Sequence, residues 1–458
     1  MADINRDVFE TLPVPQAVRR MALPTIFSQL IVLIYNMADT FYLGRTNNPY
    51  MVAGAALILP VFNITISLAG LTGAGGGALI SRLLGVSKVD EARKVSAFSF
   101  QVAIAITACF SIGALLFMKP LLGLLGASGN TFTYARQYVT CVIVLGGIPT
   151  VIANVMSYMC RSIGESRTSG FGMALGGIVN IILDPIFMFL IMKPGNEVLG
   201  AGIATMLSNC IACTFFITRV RRMKNNPVIR FYTNEGRPSG ESIRSIFNVG
   251  VPSAVGTLLF DIDYVVIDKL MAGYTDIALA AIGIVLKVER LPLNIGVGMS
   301  LGMVPLVAYN YSSGNHKRMI DVLRFTLTVG ALIGVASVVM YQFFAGDILR
   351  FFISDAETVR LGTAFLKARS IATPLMFLSF CPVFAFQGLG EGNTALFLAV
   401  ARWAGLNIPM LFILNHFVGM YGIVWAQATS ATLTVILTAI VAYRFYKSKL
   451  RSKPEECN

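Results

Sequence analysis

Carboxylates placed within apolar segments are the residues of this sequence best suited to chemistry. Asp184 lies in the run "NIILDPIFMF" (180–189), with Asn180 four residues before it and Pro185 directly after it. Residues four apart share one face of a helix, so this amide and this carboxylate are expected to lie side by side. Pro185 lacks a backbone donor and crowds the carbonyl group four residues earlier. Such oxygen atoms suit Na⁺, and a buried carboxylate equally suits the uptake of a proton.

Further acidic residues fall in or at the ends of apolar runs, namely Asp39, Asp261, Asp263, Asp268 and Glu289. A carboxylate at the middle of a bilayer costs about 2.5–3.5 kcal/mol on the translocon-insertion scale. Such residues therefore line a cavity, bind an ion or proton, or pair with a base. For Asp39 and Asp268 the alternative is a solvated position at the end of a span.

The acidic residues of the second half do not suggest a metal site. Asp261 and Asp268 are seven residues apart and share a helix face, whereas Asp263 points about 200° away from Asp261. The two carboxylates of this D-x-D pattern cannot bind one metal ion from the same helix. Asp261, Asp263 and Asp268 remain candidates for substrate binding or ion coupling in the second half.

Lys287, Glu289 and Arg290 form a cluster of charges inside another apolar run. One interpretation is internal ion pairing, either between Glu289 and Arg290 or with Asp261 or Asp263. The other interpretation is a role in substrate binding or coupling.

Composition indicates the environment of these residues. The chain has 458 residues, of which 55% are hydrophobic and 13% charged, and its mean hydropathy is +0.72. Soluble proteins carry about 25% charged residues, which are needed to cover a surface in water. We therefore predict an all-α membrane protein. Its predicted spans are 21–43, 52–80, 95–118, 138–160, 169–192, 199–218, 246–268, 277–309, 323–346, 370–389, 394–417 and 420–443.

The distribution of basic residues predicts the orientation of this multi-pass protein. If both termini are cytoplasmic, the inside segments hold most of the Lys and Arg residues, as the positive-inside rule requires. The net charge of +13 then reflects the basic residues that orient the protein in the lipid bilayer, and nucleic acid is not expected as a partner. The longest polar stretch predicts a cytoplasmic linker at 219–245, between an N-lobe at 1–218 and a C-lobe at 246–458.

The two predicted lobes repeat each other in sequence. "YNMADTFYLG" (35–44) matches "YVVIDKLMAG" (264–273), "SIGESRTS" (162–169) matches "GLGEGNTA" (388–395), and "GIVN" (177–180) matches "AGLN" (404–407). Each lobe has six spans, an even number, so both lobes have the same orientation in the membrane. Such parallel repeats are typical of secondary transporters, which bind substrate where the repeats meet.

The chain resembles the multidrug and toxic compound extrusion (MATE) family over residues 15–445. The resemblance rests on Pro24 and on "NMADTFYLGR" (36–45), "GAGGGALISRLLG" (73–85), "NIILDPIFMF" (180–189), "GAGIAT" (200–205) and "PLVAYNYSSGN" (305–315). It implies V-shaped lobes that alternate between outward-facing and inward-facing states and exchange Na⁺ or H⁺ for small amphipathic, mostly cationic compounds.

The same resemblance implies particular site residues. The coupling site of the prokaryotic branch corresponds here to Asp39, Asn180, Asp184 and Thr205, with Na⁺ as one candidate ion at the first three. Another branch uses an acidic residue on the seventh helix, for which Asp261 or Asp263 could substitute. The resemblance further implies a monomer in the inner membrane of a prokaryote, with no cofactor beyond the coupling ion.

Two other classes of protein are alternatives to a multidrug transporter. A dedicated exporter of one metabolite, or a flippase for lipid-linked oligosaccharides, would use a more cationic cavity, and Lys287 and Arg290 leave that alternative open. An intramembrane enzyme is not expected, because the sequence has no H-E-x-x-H and the two carboxylates of its D-x-D pattern cannot bind one metal ion from the same helix.

Overall fold

The computed structural model describes residues 6–223 and 228–450, and this part of the chain is helical without strands. The long helices of the first half are α1 (Val14–Gly44), α2 (Pro49–Gly85), α3 (Val89–Leu116), α4 (Phe132–Leu145 with Gly147–Ser162), α5 (Ser166–Ile191) and α6 (Glu197–Arg222). Two short helices, Arg6–Phe9 and Met118–Leu124, accompany them. Those of the second half are α7 (Gly240–Ala272), α8 (Asp276–Ser312), α9 (His316–Phe352), α10 (Ala356–Ser370 with Thr373–Leu389), α11 (Gly392–Val418) and α12 (Met420–Lys449). The predicted all-α membrane fold is confirmed.

Two of the twelve spans are bent, and they occupy equivalent places in the two lobes. The two segments of α4 meet at 50° and those of α10 at 48°. The sequence predicted these spans to begin at 138 and 370, so it missed residues 132–137 of α4 and 356–369 of α10. The reason is polarity: the missed segments carry Arg136, Lys367 and Arg369, which lower the local hydropathy.

The predicted linker is only partly helical. Helix α6 continues to Arg222 and α7 begins at Gly240, with irregular chain described at 228–239. Residues 224–227 of the predicted linker and 451–458 of the predicted C-lobe lie outside the described residues.

Glycines allow the backbones of the two lobes to touch. A Cβ atom built on Gly250 of α7 would lie 1.7 Å from the carbonyl oxygen of Leu71 in α2, and one on Gly75 would lie 2.0 Å from the carbonyl oxygen of Ile246. Helices α1 and α8 approach in the same way, because a Cβ atom on Gly302 would lie 2.7 Å from Cα of Ala22. Only glycine fits positions where two backbones come this close.

Hydrogen bonds between the lobes surround these glycine contacts. Arg82 of α2 donates from Nη2 to Oγ of Ser245 at 2.9 Å. The carboxylate of Glu91 accepts from the backbone N–H of Ser239 at 2.8 Å and from the hydroxyl of Ser242 at 2.7 Å. The lobes are therefore held together at the end of the bundle that carries the linker.

We predict that Gly250→Ala will separate the lobes at this end, because the new methyl group cannot coexist with the Leu71 carbonyl. Spin labels at exposed Lys88 and Ser313, in a cysteine-free background, should show a longer distance population by double electron–electron resonance.

Gly283→Ala is the matched control, since a Cβ atom there meets nothing within 4 Å. It should leave the distances of the parent protein unchanged. An unchanged distribution in Gly250→Ala would contradict the role assigned to this contact.

Candidate ion site and central cavity

Helices α1, α5 and α6 bring together the four residues Asp39, Asn180, Asp184 and Thr205, which we call the N-lobe site. The amide nitrogen of Asn180 donates to Oδ1 of Asp184 at 3.0 Å and lies 3.4 Å from the hydroxyl of Thr205. Asp184 is completely buried and Asn180 is 2% exposed. The pairing of Asn180 with Asp184 across one helical turn is the arrangement that their spacing predicts.

Asp39 enters the N-lobe site from α1. Its Oδ2 accepts a hydrogen bond from the hydroxyl of Tyr138 at 3.1 Å. Asp39 also lies close enough to Asp184 for the two carboxylates to interact electrostatically. Tyr138 lies in the first segment of α4 and is the first residue of the predicted fourth span, but sequence reasoning did not single it out. Its position at the beginning of that span was the one signal available.

Close packing of glycines places α1 and α6 on either side of α5. A Cβ atom on Gly177 of α5 would lie 2.6 Å from Cγ2 of Ile31 in α1. Another on Gly200 of α6 would lie 2.9 Å from the backbone of Phe187 in α5. Phe187 belongs to a π-helical turn, Ile186–Ile191, that begins directly after Pro185. Pro185 lacks a backbone N–H group, and directly after it the chain changes from α-helical to π-helical winding, beside Asp184.

Three oxygen atoms of the N-lobe site receive no hydrogen bond from the described residues. Oδ1 of Asp39, Oδ1 of Asn180 and Oδ2 of Asp184 are buried, and within the described part of the chain none has a hydrogen-bond partner. The ion pairs of the described residues include neither aspartate. Two close carboxylates and an amide oxygen without a basic partner can hold a small cation or share a proton.

The charge cluster of α8 separates into three different environments. Glu289 forms a buried ion pair with Arg369 of α10 at 2.9 Å, whereas Lys287 is exposed. Arg290 stacks on the ring of Tyr264, with its Cζ 4.8 Å from the ring centroid. The alternative in which Glu289 pairs with Arg290 is therefore wrong, because the adjacent positions point in different directions around the helix.

The acidic residues of α7 also take separate partners. Asp263 accepts from the amide of Asn407 at 2.5 Å, and the amide oxygen of Asn407 accepts from the hydroxyl of Ser430. Asp261 instead lies near Asn63 of α2 and Arg290. Asp268 is exposed. Asp261 and Asp263 thus contact different residues, which fits their positions on different faces of the helix.

Sequence reasoning did not single out Arg369, Arg402 or Asn407. Arg369 fell just before the predicted tenth span, and Asn407 was noted only as part of a repeat. Arg402 offered a signal, since it is a basic residue within the apolar run of the eleventh span.

A cavity of about 430 Å³ lies between the lobes, and both lobes line it. Asn180 and Thr205 belong to its wall, so the N-lobe site and the cavity share residues. The charged side chains among its described lining residues are Arg161, Arg290 and Arg402. Two six-helix repeats around one shared cavity define the protein as a transporter of the parallel-repeat class.

Comparison with known proteins identifies the family. The MatE family model matches residues 24–186 and again 252–413, once in each half, and the chain belongs to this family. It is 29% identical over 443 residues to a protein of Staphylococcus haemolyticus named multidrug export protein MepA, covering 97% of this chain and 96% of that protein. It is 30% identical over 444 residues, with the same coverage, to a protein of that name from Staphylococcus aureus.

The fold is also that of solved structures. The chain superimposes with a TM-score of 0.92 on an outward-facing multidrug resistance MATE family transporter of the MOP superfamily. The sequences are 21% identical, and the match covers 99% of this chain and 100% of the other. The resemblance seen in the sequence motifs and the two-lobed helical fold are both confirmed.

We predict that Glu289→Gln will lower the stability of the protein by about 3–5 kcal/mol, because it leaves the guanidinium group of Arg369 buried without its anionic partner. Thermal unfolding of the purified protein in detergent measures this loss.

Replacing both Glu289 and Arg369 with Leu should restore most of the stability, because no charge then remains buried. Lys287→Gln, on the same helix but exposed, is the control and should have little effect. Full stability of Glu289→Gln would show that this pair is not structural.

Proposed function

We propose that this chain exports small amphipathic organic compounds, mostly cationic, by exchanging them for Na⁺ or H⁺ bound at the N-lobe site. The observation that carries the proposal is the group of unpartnered acceptor oxygens on Asp39, Asn180 and Asp184. Export of drugs is supported by the names of the staphylococcal relatives, which cover nearly the whole chain.

The position of the N-lobe site beside the cavity supports a competitive exchange. Asn180 hydrogen-bonds to Asp184 and also lines the cavity, so one residue contacts both the ion site and the substrate space. An empty pair of carboxylates is unstable in a dry site and favours a conformation that admits water. A bound Na⁺ or proton neutralises the pair and permits closure, and a substrate cation competes for the same negative potential.

The available driving force is sufficient for export. One charge crossing the membrane gains about 2.3 kcal/mol per 100 mV, and a tenfold ion gradient adds about 1.4 kcal/mol. One-for-one exchange therefore sustains a gradient of several hundredfold for a neutral or zwitterionic substrate, by the rule that about 1.4 kcal/mol corresponds to a factor of ten. For a monovalent cation the same exchange moves no net charge, so the tenfold ion gradient sustains a substrate gradient of about tenfold.

The membrane setting is part of the same proposal. The chain is a multi-pass membrane protein, and we place both termini on the cytoplasmic side of a prokaryotic inner membrane because the basic residues favour that orientation. A single chain provides both lobes of the cavity, which supports a monomeric transport unit without any cofactor other than the coupling ion.

A second candidate is a dedicated exporter of one metabolite or lipid-linked sugar. The specific observation in its favour is that the charged residues lining the cavity, in the described part of the chain, are arginines. Such a protein would transport one compound class and show no competition between structurally unrelated drugs.

We predict that Asp39→Asn and Asp184→Asn will each abolish ion-driven export while leaving the folded yield intact. Asn matches Asp in shape, but it carries no charge to attract Na⁺ and takes up no proton. Drug efflux from intact cells, normalised to membrane protein level, measures the effect.

Asp268→Asn is the matched control, since the sequence repeat pairs Asp268 with Asp39 but Asp268 is exposed. It should export normally. Undiminished efflux by both N-lobe variants would rule out the assigned site.

We further predict reciprocal binding. The coupling ion should weaken the binding of substrate by the same factor by which substrate weakens the binding of the ion. Substrate affinity of the purified protein, measured from acidic to alkaline pH with and without Na⁺, tests this relation. An affinity indifferent to both ions would contradict ion-coupled exchange and favour the dedicated exporter.

A further inference from the structure

Arg161 is a buried cation of the cavity that lacks an acidic partner. It lies at the end of α4 and is 5% exposed, and its Nη1 donates to the hydroxyls of Ser157 at 2.7 Å and Ser169 at 2.9 Å. Its Cζ stacks 4.6 Å from the ring centroid of Tyr158. The described residues include no carboxylate in an ion pair with it. Hydroxyl groups and a ring face do not neutralise a buried charge.

Arg402, in the C-lobe, is a second buried cation of the cavity that forms no ion pair among the described residues. It is 4% exposed, bonds to the hydroxyl of Ser379, and stacks on Trp403 with its Cζ 4.4 Å from the ring centroid. Its Nε is buried without a hydrogen-bond partner in the described part of the chain. The carboxylates that interact with it electrostatically, Asp263 and Glu289, hydrogen-bond to Asn407 and Arg369, and neither forms an ion pair with Arg402 within the described part of the chain.

If Arg161 and Arg402 had a purely structural role, each would be expected to have a carboxylate partner. Arg369 shows how this protein compensates a buried guanidinium group, namely with the carboxylate of Glu289 at 2.9 Å. Arg161 and Arg402 instead line the cavity together with Arg290, and the described lining contains no carboxylate. We call these three residues the cavity arginines.

The chemistry of the cavity arginines indicates their ligand. A guanidinium group stacked on an aromatic ring keeps N–H groups at its edge, and these match the planar oxygens of a carboxylate or the oxygens of a phosphate. The rings of Tyr158, Phe380 and Trp403 line the same cavity and offer flat apolar surfaces to an aromatic cargo.

We propose that the cavity arginines bind an anionic oxygen group of the cargo, so that this transporter prefers amphipathic compounds with a carboxylate or phosphate to otherwise identical compounds without one. The inference rests on the proposed export function, because it assigns a ligand to the same cavity. Within the amphipathic, mostly cationic substrates of the proposed function, it adds a preference for molecules that also carry an anionic group, such as zwitterions whose cationic end faces Asn180 and Thr205.

Two dyes of nearly equal size test the proposal. Rhodamine B has a free carboxylate, and in its ethyl ester that carboxylate is blocked while the cationic ring system is kept. Fluorescence anisotropy with the purified full-length protein in detergent gives the affinity for each dye. We expect rhodamine B to bind about tenfold more tightly than the ester, the size of effect typical of hydrogen bonds to a charged group.

Variants then locate the preference. Arg161→Gln and Arg402→Gln should each remove most of the preference by weakening rhodamine B, with the ester affected little. Arg161→Lys should retain part of it, because the charge remains although the paired N–H geometry is lost. Lys287→Gln removes an exposed positive charge outside the cavity and should preserve the preference.

Several results would overturn the proposal. Equal affinity of the parent protein for both dyes, or tighter binding of the ester, excludes anion recognition by the cavity. Loss of the preference in Lys287→Gln would mean that a general positive field, and not the cavity arginines, is responsible. If the ester still binds and is exported without preference, the anion site is refuted and the export function stands. If neither dye binds, both fail.

Discussion

A charged side chain inside a membrane span has no water to neutralise it, and in this protein the two lobes meet that constraint differently. In the C-lobe a guanidinium group lies near each carboxylate that is buried or partly buried: Glu289 is paired with Arg369, Arg369 and Arg402 lie near Asp263, and Arg290 lies near Asp261. In the N-lobe, the charge of Asp39 acts on Asp184, and neither aspartate forms an ion pair among the described residues. When both carboxylates are ionised, the N-lobe site therefore holds negative charge without a basic partner, which a bound cation or proton would compensate.

The repeat makes this asymmetry visible at single positions. Asn180 and Asn407 occupy equivalent places in α5 and α11. The amide oxygen of Asn180 has no partner in the described part of the chain, whereas that of Asn407 accepts from Ser430. Four residues further on, α5 has Asp184 where α11 has the buried Leu411. One ancestral arrangement has thus become an open acceptor site in one lobe and a closed hydrogen-bond network in the other.

Much of the fold could be read from the sequence, because hydropathy and the repeat constrain it strongly. The same is true of Asn180 and Asp184, which are neighbours on a single helix. Partners contributed by other helices could not be predicted: Tyr138 reaches Asp39 from α4, and Arg369 reaches Glu289 from α10. Both belong to the first segments of the bent spans; Tyr138 is the first residue of the predicted fourth span, and Arg369 falls just before the predicted tenth span. Pairing across helices depends on how the helices pack, which spacing within one helix does not determine.

Transport by the purified protein in proteoliposomes, with a Na⁺ gradient and a pH gradient imposed separately at zero membrane potential, tests the central claim most directly. The account predicts that at least one gradient drives a fluorescent organic cation such as ethidium against its own gradient. It also predicts that the same ion moves in the opposite direction, in a fixed ratio to the dye. Dye movement that stays the same with and without either gradient would contradict the claim that an ion at Asp39 and Asp184 powers export.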